Sequence, residues 1–150
     1  MTRIYLVRHA QAEGNLYRRA HGSYDSLITP QGYAQIEALK KRFESVHVDV
    51  VYTSPRYRAR TTASAISQPK EIPMYVLQEL HEVNCGPWED RTWGDIQYTD
   101  PEQLNNFNYH LERWHVPGTE TAEQVRDRML RVLDTIVREC PDMTVAAVTH

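Results

Sequence analysis

Apolar residues recur along this chain in two alternating rhythms, short continuous runs and stripes spaced three or four apart. Residues 3–8, Arg-Ile-Tyr-Leu-Val-Arg, form a short run that reads as a buried strand. Thr29-Pro30 then carries the signal of a helix start, threonine as cap and proline in the first turn. Tyr33, Ile36, Leu39 and Phe43 give that helix one apolar stripe. Val48 to Thr53 is short and β-branched, a second strand. Ser54-Pro55 repeats the cap-plus-proline signal and predicts a helix to about Ser67, and Ile72 to Leu77 reads as a third strand. Asp100-Pro101 opens another helix, with Gln103 placed for a capping box, and Thr121 with Gln124 forms a similar box. Ala122, Val125, Met129, Val132 and Ile136 mark a long amphipathic helix, and Val145 to Thr149 is a fourth strand.

Strands alternating with helices predict an α/β fold, a mainly parallel central sheet flanked by helices on both faces. Residues 80–120 break the alternation. They are aromatic and polar, and are expected to form a helical and loop cap over one end of the sheet. With no repeats or linkers, 150 residues are expected to make one domain, 1–150. The fourth strand runs directly into His150, the last residue. The C-terminal part of the fold is therefore expected to be missing, which would uncover apolar sheet surface and leave His150 frayed.

Composition narrows the chemistry. A formal net charge of −3 argues against a general nucleic-acid binder but leaves room for a local cationic pocket. No apolar run approaches the roughly 20 residues of a membrane span, and the first residues lack the basic-then-apolar order of a signal peptide. Cys85 and Cys140 belong to no CxxC pair and read as free thiols in a reducing compartment, with the cytoplasm as the expected location. His81, His110 and His115 match no zinc spacing, so neither metal nor other cofactor is expected. Two other histidines stand apart. His9, in the pair Arg8-His9, and His150 both follow a predicted strand, and open α/β sheets bind ligands at the C-terminal ends of their strands.

The surrounding segments extend this. Leu6-Val7-Arg8-His9-Ala10-Gln11-Ala12-Glu13-Gly14-Asn15 resembles the Arg-His-Gly motif of the histidine phosphatase superfamily, the phosphoglycerate-mutase-like group, with Ala10 in place of glycine and Ala12 in place of a threonine hydroxyl. The loop from Gly22 to Gly32 and the stretch from Thr53 to Ala63 are similar to the family's glycine loop and its Arg-Ala-x-x-Thr-Ala helix start. Leu80-His81-Glu82 through Gly86, Trp88 and Glu89 is similar to Leu-x-Glu-x-x-x-Gly-x-Trp-Glu. Pro117-Gly118-Thr119-Glu120-Thr121 resembles the Gly-Glu-Ser segment, and Val148-Thr149-His150 matches the strand end with the second histidine. Six segments in the family's order span the whole chain.

The resemblance implies a phosphatase acting on a small phosphomonoester. His9 would be the nucleophile, since a neutral imidazole can attack phosphorus to give a phosphohistidine. Arg8 and Arg58 offer planar forks suited to phosphate, Arg58 from a helix's first turn where anions are favoured. Asn15 would donate an amide hydrogen bond, Gly22 and Ser23 would line the substrate, and His150, once protonated, would add a third positive group. Glu82 is the expected general acid, then base for the attacking water. Glu89 is read as structural, Arg56 and Arg60 as solvent-facing, Glu120 and Thr121 as helix anchor and cap. Arg18 and Arg19 are read as solvated or lining the entrance. Tyr24, Trp93 and His81 remain open between substrate contact and packing. The compact stretch Glu82 to Trp93 favours the phosphatase branch, in the style of broad-specificity and α-ribazole phosphatases. The alternatives are a phosphoglycerate mutase-type phosphoryl transfer and a non-catalytic phospho-ligand-binding module. No nucleic-acid or membrane partner is expected, and a homodimer stays open.

Overall fold

The computed structural model describes residues 1–150. Four strands, β1 (Arg3–Arg8), β2 (Val50–Thr53), β3 (Met74–Val76) and β4 (Thr144–Thr149), form one sheet in the order β1-β4-β2-β3. Every neighbouring pair is parallel. The helices are α1 (Glu13–Leu16), α2 (Pro30–Phe43), α3 (Tyr57–Ser67), α4 (Trp93–Thr99), α5 (Pro101–Tyr109) and α6 (Ala122–Glu139).

β4 is central, so both of its faces are covered, and its alternating side chains feed two cores. Ala146 and Val148 pack with Val51, Phe43 at the end of α2, and Ala59, Ala63 and Ile66 of α3. Val145 and Ala147 pack on the opposite face with Val50, Tyr52 and Val132, Ile136 of α6. A third apolar cluster lies apart from the sheet. Trp88, Ile96, Leu104 and Trp114 form the heart of the cap expected at 80–120.

The caps divide into those that hold and those that do not. Thr29 accepts from the Gly32 amide and starts α2. Thr121 and Gln124 form a reciprocal box at α6. Ser54 does not cap α3. That helix begins at Tyr57 with Arg56 in the cap position and no side-chain cap, because the Ser54 hydroxyl is drawn to a tertiary partner described below. Asp100 and Gln103 make no box either, as Gln103 Oε1 accepts from the His115 amide instead. Two further expectations change. β1 is an edge strand rather than a buried one, with Leu6 62% exposed. Tyr33 points outward, so the α2 stripe narrows to Ile36, Leu39 and Phe43.

Candidate active site

Parallel register brings the two histidines together. Arg8 pairs with Thr149 at the end of β1 and β4, and the His9 amide continues the ladder to the Thr149 carbonyl at 2.9 Å. The next residues on each strand, His9 and His150, then meet with ring centroids 5.0 Å apart. β2 ends beside them, since Thr53 pairs with Val148 and the Ser54 amide donates to the Val148 carbonyl at 3.0 Å.

His9 is 7% exposed, and its Nδ1 lies 2.7 Å from the Ala10 carbonyl. A carbonyl only accepts, so Nδ1 carries the proton and Nε2 keeps its lone pair. Burial pushes the imidazole down to about 4; the Ala10 bond opposes this, while Arg58, His21 and Arg8 add to it. The ring is neutral at pH 7.

His150 faces it through the same loss of water. Burial, with Arg58, His9, His21 and Arg56 around it, pushes its pKa down to about 2. The free site thus holds His150 neutral. An arriving phosphate would act against that shift, because a neighbouring anion favours the protonated ring. Its Nε2 lies 2.8 Å from Ser54 Oγ, and that oxygen accepts from the Arg56 amide at 3.3 Å. With the Ser54 hydroxyl donating to Nε2, the neutral ring carries its proton on Nδ1, which is buried without a partner.

Arg58 departs most from expectation. It is fully buried at the start of α3. Its Nη1 donates to the Tyr24 carbonyl at 3.0 Å and to Asp25 Oδ1 at 3.5 Å, and its Nη2 to the carbonyls of His21 at 2.7 Å and Gly22 at 3.2 Å. A guanidinium has five N–H groups, and these bonds occupy its fork. The fork therefore clamps the loop 21–25 rather than presenting itself to a ligand. What remains is Nε–H, buried without a partner. Arg56, expected in solvent, is half-buried with its Nε in the same condition, whereas Arg60 is exposed.

Beside the histidines, reached through Arg8 and His21, lies a cavity of about 270 Å³. Arg8, Asn15, His21, Gly22 and Glu82 line it. Asn15 Oδ1 accepts from the Ala12 amide at 3.0 Å, which leaves its Nδ2 donors available. Glu82 Oε1 accepts from the Val83 amide at 2.8 Å, which holds the carboxylate at the rim. Ser23 is not brought in the same way, for its amide is spent on Glu89 Oε1 at 2.8 Å. Glu89 also accepts from Tyr24 at 3.0 Å and Cys85 at 3.0 Å, so one carboxylate ties the loop of Gly22 to the loop of Glu82. That approach is close enough that a Cβ on Gly22 would collide with the Val83 carbonyl. Glu120 braces the Glu82 loop from behind, bonded to the Asn84 amide and, through both oxygens, to buried Arg128. Cys85 lines the cavity too. Burial, then Glu89 and Glu82, pushes its thiol up to about 12, so it supplies no thiolate. No group of three or more His, Cys, Asp or Glu is arranged to hold a metal ion.

Two neighbours lie outside the residues the sequence points to. Ser54 reads from the sequence as a helix cap, yet stands beside His150. His21 packs edge-on to His9 with centroids 5.8 Å apart, has a buried Nδ1 without a partner, and is pushed down to about 4 by burial, Arg58 and Arg8. Its position directly before the motif glycine Gly22 was the available signal.

Comparison with known proteins places the chain in a family. The family model of the histidine phosphatase superfamily (branch 1) matches residues 4–150, and the chain belongs to that family of enzymes. Phosphoserine phosphatase 1 of Hydrogenobacter thermophilus is 26% identical over 150 residues, covering 100% of this chain and 71% of that protein. The adenosylcobalamin/alpha-ribazole phosphatase of Salmonella typhimurium is 32% identical over 100 residues, 67% of this chain and 50% of that protein. The solved structure of Bacillus stearothermophilus YhfR superposes with a TM-score of 0.96 at 33% identity, over all of this chain and 74% of that one. The chain thus spans between half and about three quarters of these relatives.

Proposed function

We propose that the protein hydrolyses small phosphomonoesters through a phosphohistidine on His9. The single observation that carries this is the His9 Nδ1–Ala10 bond at 2.7 Å in a ring held neutral, which leaves Nε2 as a free lone pair in a site rich in cationic and N–H donors.

The reaction divides into two displacements. His9 Nε2 attacks phosphorus, the bond from phosphorus to the leaving oxygen breaks, and that oxygen takes the proton of the Glu82 carboxylic acid. Water then attacks the phosphohistidine, its proton passes to the Glu82 carboxylate, and the Nε2–phosphorus bond breaks to release phosphate. Charge on the equatorial oxygens is met by Arg8, the Arg58 Nε–H, the Asn15 amide and His150 Nδ1–H. A bound phosphate dianion favours a second proton on His150, which would place a cation beside these oxygens. The names of the relatives, phosphoserine and α-ribazole phosphatases, favour hydrolysis over mutase transfer. Two unpaired buried thiols suit a reducing cytoplasm.

The test is rapid-quench turnover of p-nitrophenyl phosphate by the full-length protein at mildly acidic pH. Acid-labile, base-stable phosphoenzyme that disappears in His9→Ala is the expected result. Turnover without any phosphoenzyme would remove the covalent step, and turnover that survives His9→Ala would remove His9 from the chemistry. Phosphoglycerate isomerisation requiring a bisphosphorylated primer would move the protein to the mutase class.

A further inference from the structure

The cavity at the sheet end has a neighbour. Arg18, Trp93 and Phe107 line it and also line a second cavity of about 440 Å³ between α4 and α5. Gly94, Gln97, Leu104 and Asn108 complete the second wall, against the stacked rings of Trp93 and Phe107, 5.6 Å apart. Glu82, which would protonate the leaving oxygen, lines only the first cavity. A leaving group of any length must continue past it, and the second cavity is the space that adjoins.

Arg18 stands where the two spaces meet. Its backbone is left-handed, φ 54°, a conformation that costs a non-glycine residue about 1 kcal/mol. The Arg18 amide donates to the Asn15 carbonyl at 3.2 Å and its carbonyl accepts from Trp93 at 2.9 Å, which fixes it there. Arg19 is paired with Asp90 at 3.1 Å, whereas Arg18 enters no ion pair. The reacting phosphate already has Arg8, Arg58 and His150. Arg18 is a cation in excess of what that phosphate uses, placed at its far side. Glu82, the one carboxylate residue lining either cavity, enters the first step as the acid and so carries no charge to neutralise Arg18 as substrate binds.

Building on the phosphatase reading, we propose that the cavity between α4 and α5 is the leaving-group subsite, and that Arg18 at its mouth selects phosphomonoesters whose leaving group carries a second anion. A carboxylate and a second phosphate share that chemistry.

Matched substrate pairs test it in the full-length protein. The first pair is 3-phosphoglycerate and glycerol 3-phosphate, which differ by one carboxylate. The second is fructose 1,6-bisphosphate and fructose 6-phosphate, which differ by one phosphate. Wild type is expected to favour the doubly anionic member of at least one pair, and the pair favoured identifies the anion. Arg18→Asn removes the charge while keeping a side chain that tolerates left-handed backbone. It should reduce the kcat/KM ratio within the favoured pair about tenfold, mainly through KM, and Arg18→Lys should restore most of it. Gly94→Leu fills the second cavity independently, since a Cβ there meets nothing within 4 Å. It should raise KM for fructose 1,6-bisphosphate more than for glycerol 3-phosphate. Equal losses on both members of a pair, or no preference in wild type, would overturn the subsite while leaving the phosphatase reading in place. Absence of any turnover and of any phosphoenzyme would take down both.

Discussion

His9 and Trp88 are both buried, 7% and 1% exposed, yet their surroundings have little in common. Around His9 nearly every contact is a directed one, to the Ala10 carbonyl, the Thr149 carbonyl, the His150 ring and the His21 ring. Around Trp88 the contacts are faces and edges of Trp93, Phe107 and Trp114, with centroids 5.8 to 6.4 Å away. The first region depends on which atom carries a proton, the second on volume. One is therefore sensitive to chemical identity at constant shape, the other to shape at constant polarity. The cap rings Trp93 and Phe107 shape a cavity they share with Arg8, while the directed contacts of His9 do not involve them.

The sharpest break of that comparison is His9→Ala. It should lower kcat by about 10⁴-fold or more, as loss of a nucleophile does, while the melting temperature stays close to wild type. Trp88→Ala should do the opposite. It should cost about 3–5 kcal/mol of stability, the usual penalty for an aromatic core truncation, seen in a denaturant melt. The fraction still folded should retain turnover of p-nitrophenyl phosphate. Should Trp88→Ala leave the melt unchanged, the cap would not be a packed unit. Glu82→Gln is smaller again, about 10²- to 10³-fold in kcat for an alkyl phosphate. The loss should be less for p-nitrophenyl phosphate in the first step, because that leaving group needs no proton.

A pH series separates the regions without mutation. His9 and His21 are pushed down to about 4 and His150 further, all below the 6.5 of an exposed histidine. The unfolded chain takes up these protons near 6.5 and the folded one does not. Stability is complete above that value and is lost as pH falls toward 4. The midpoint of thermal unfolding should drop through this window, and the drop should shrink in His21→Asn. Adding inorganic phosphate at pH 7 should draw a proton onto His150, visible as buffer-dependent binding heat in titration calorimetry. The smallest effect expected is that of Ser54→Ala, about 1 kcal/mol in stability for one hydrogen bond, with a weaker phosphate-linked proton uptake. An unaltered uptake would detach Ser54 from His150.

Periodicity carried the fold because the fold is built from it. The two faces of β4 are legible as Val145, Ala147 against Ala146, Val148, and the Thr121–Gln124 box is local enough to be read directly. Signals failed where a side chain had two suitors. Ser54 carries a strong helix-start pattern but its hydroxyl goes to His150, a partner brought near only by the parallel register. Gln103 follows the same logic with the His115 amide. At the site, sequence identified residue types but not their commitments. Nothing in the string of letters says that the Arg58 fork is occupied by the carbonyls of residues 21, 22 and 24, or that Ser23 gives its amide to Glu89. The letters of β1 read as a buried strand because they are apolar; its place at the sheet edge is a matter of strand order.

The bond from the His9 amide to the Thr149 carbonyl also has a meaning for how the molecule forms. It joins the first strand to the fourth, and that pairing spans nearly the entire chain. Contacts between such distant segments carry the largest loop-closure cost and tend to arise late. Contacts among α2, α3 and β2 are shorter in range and give His9 nothing to face. Phosphate binding should therefore appear in a refolding experiment as one of the last signals to recover, in step with β1–β4 pairing rather than with the gain of helix.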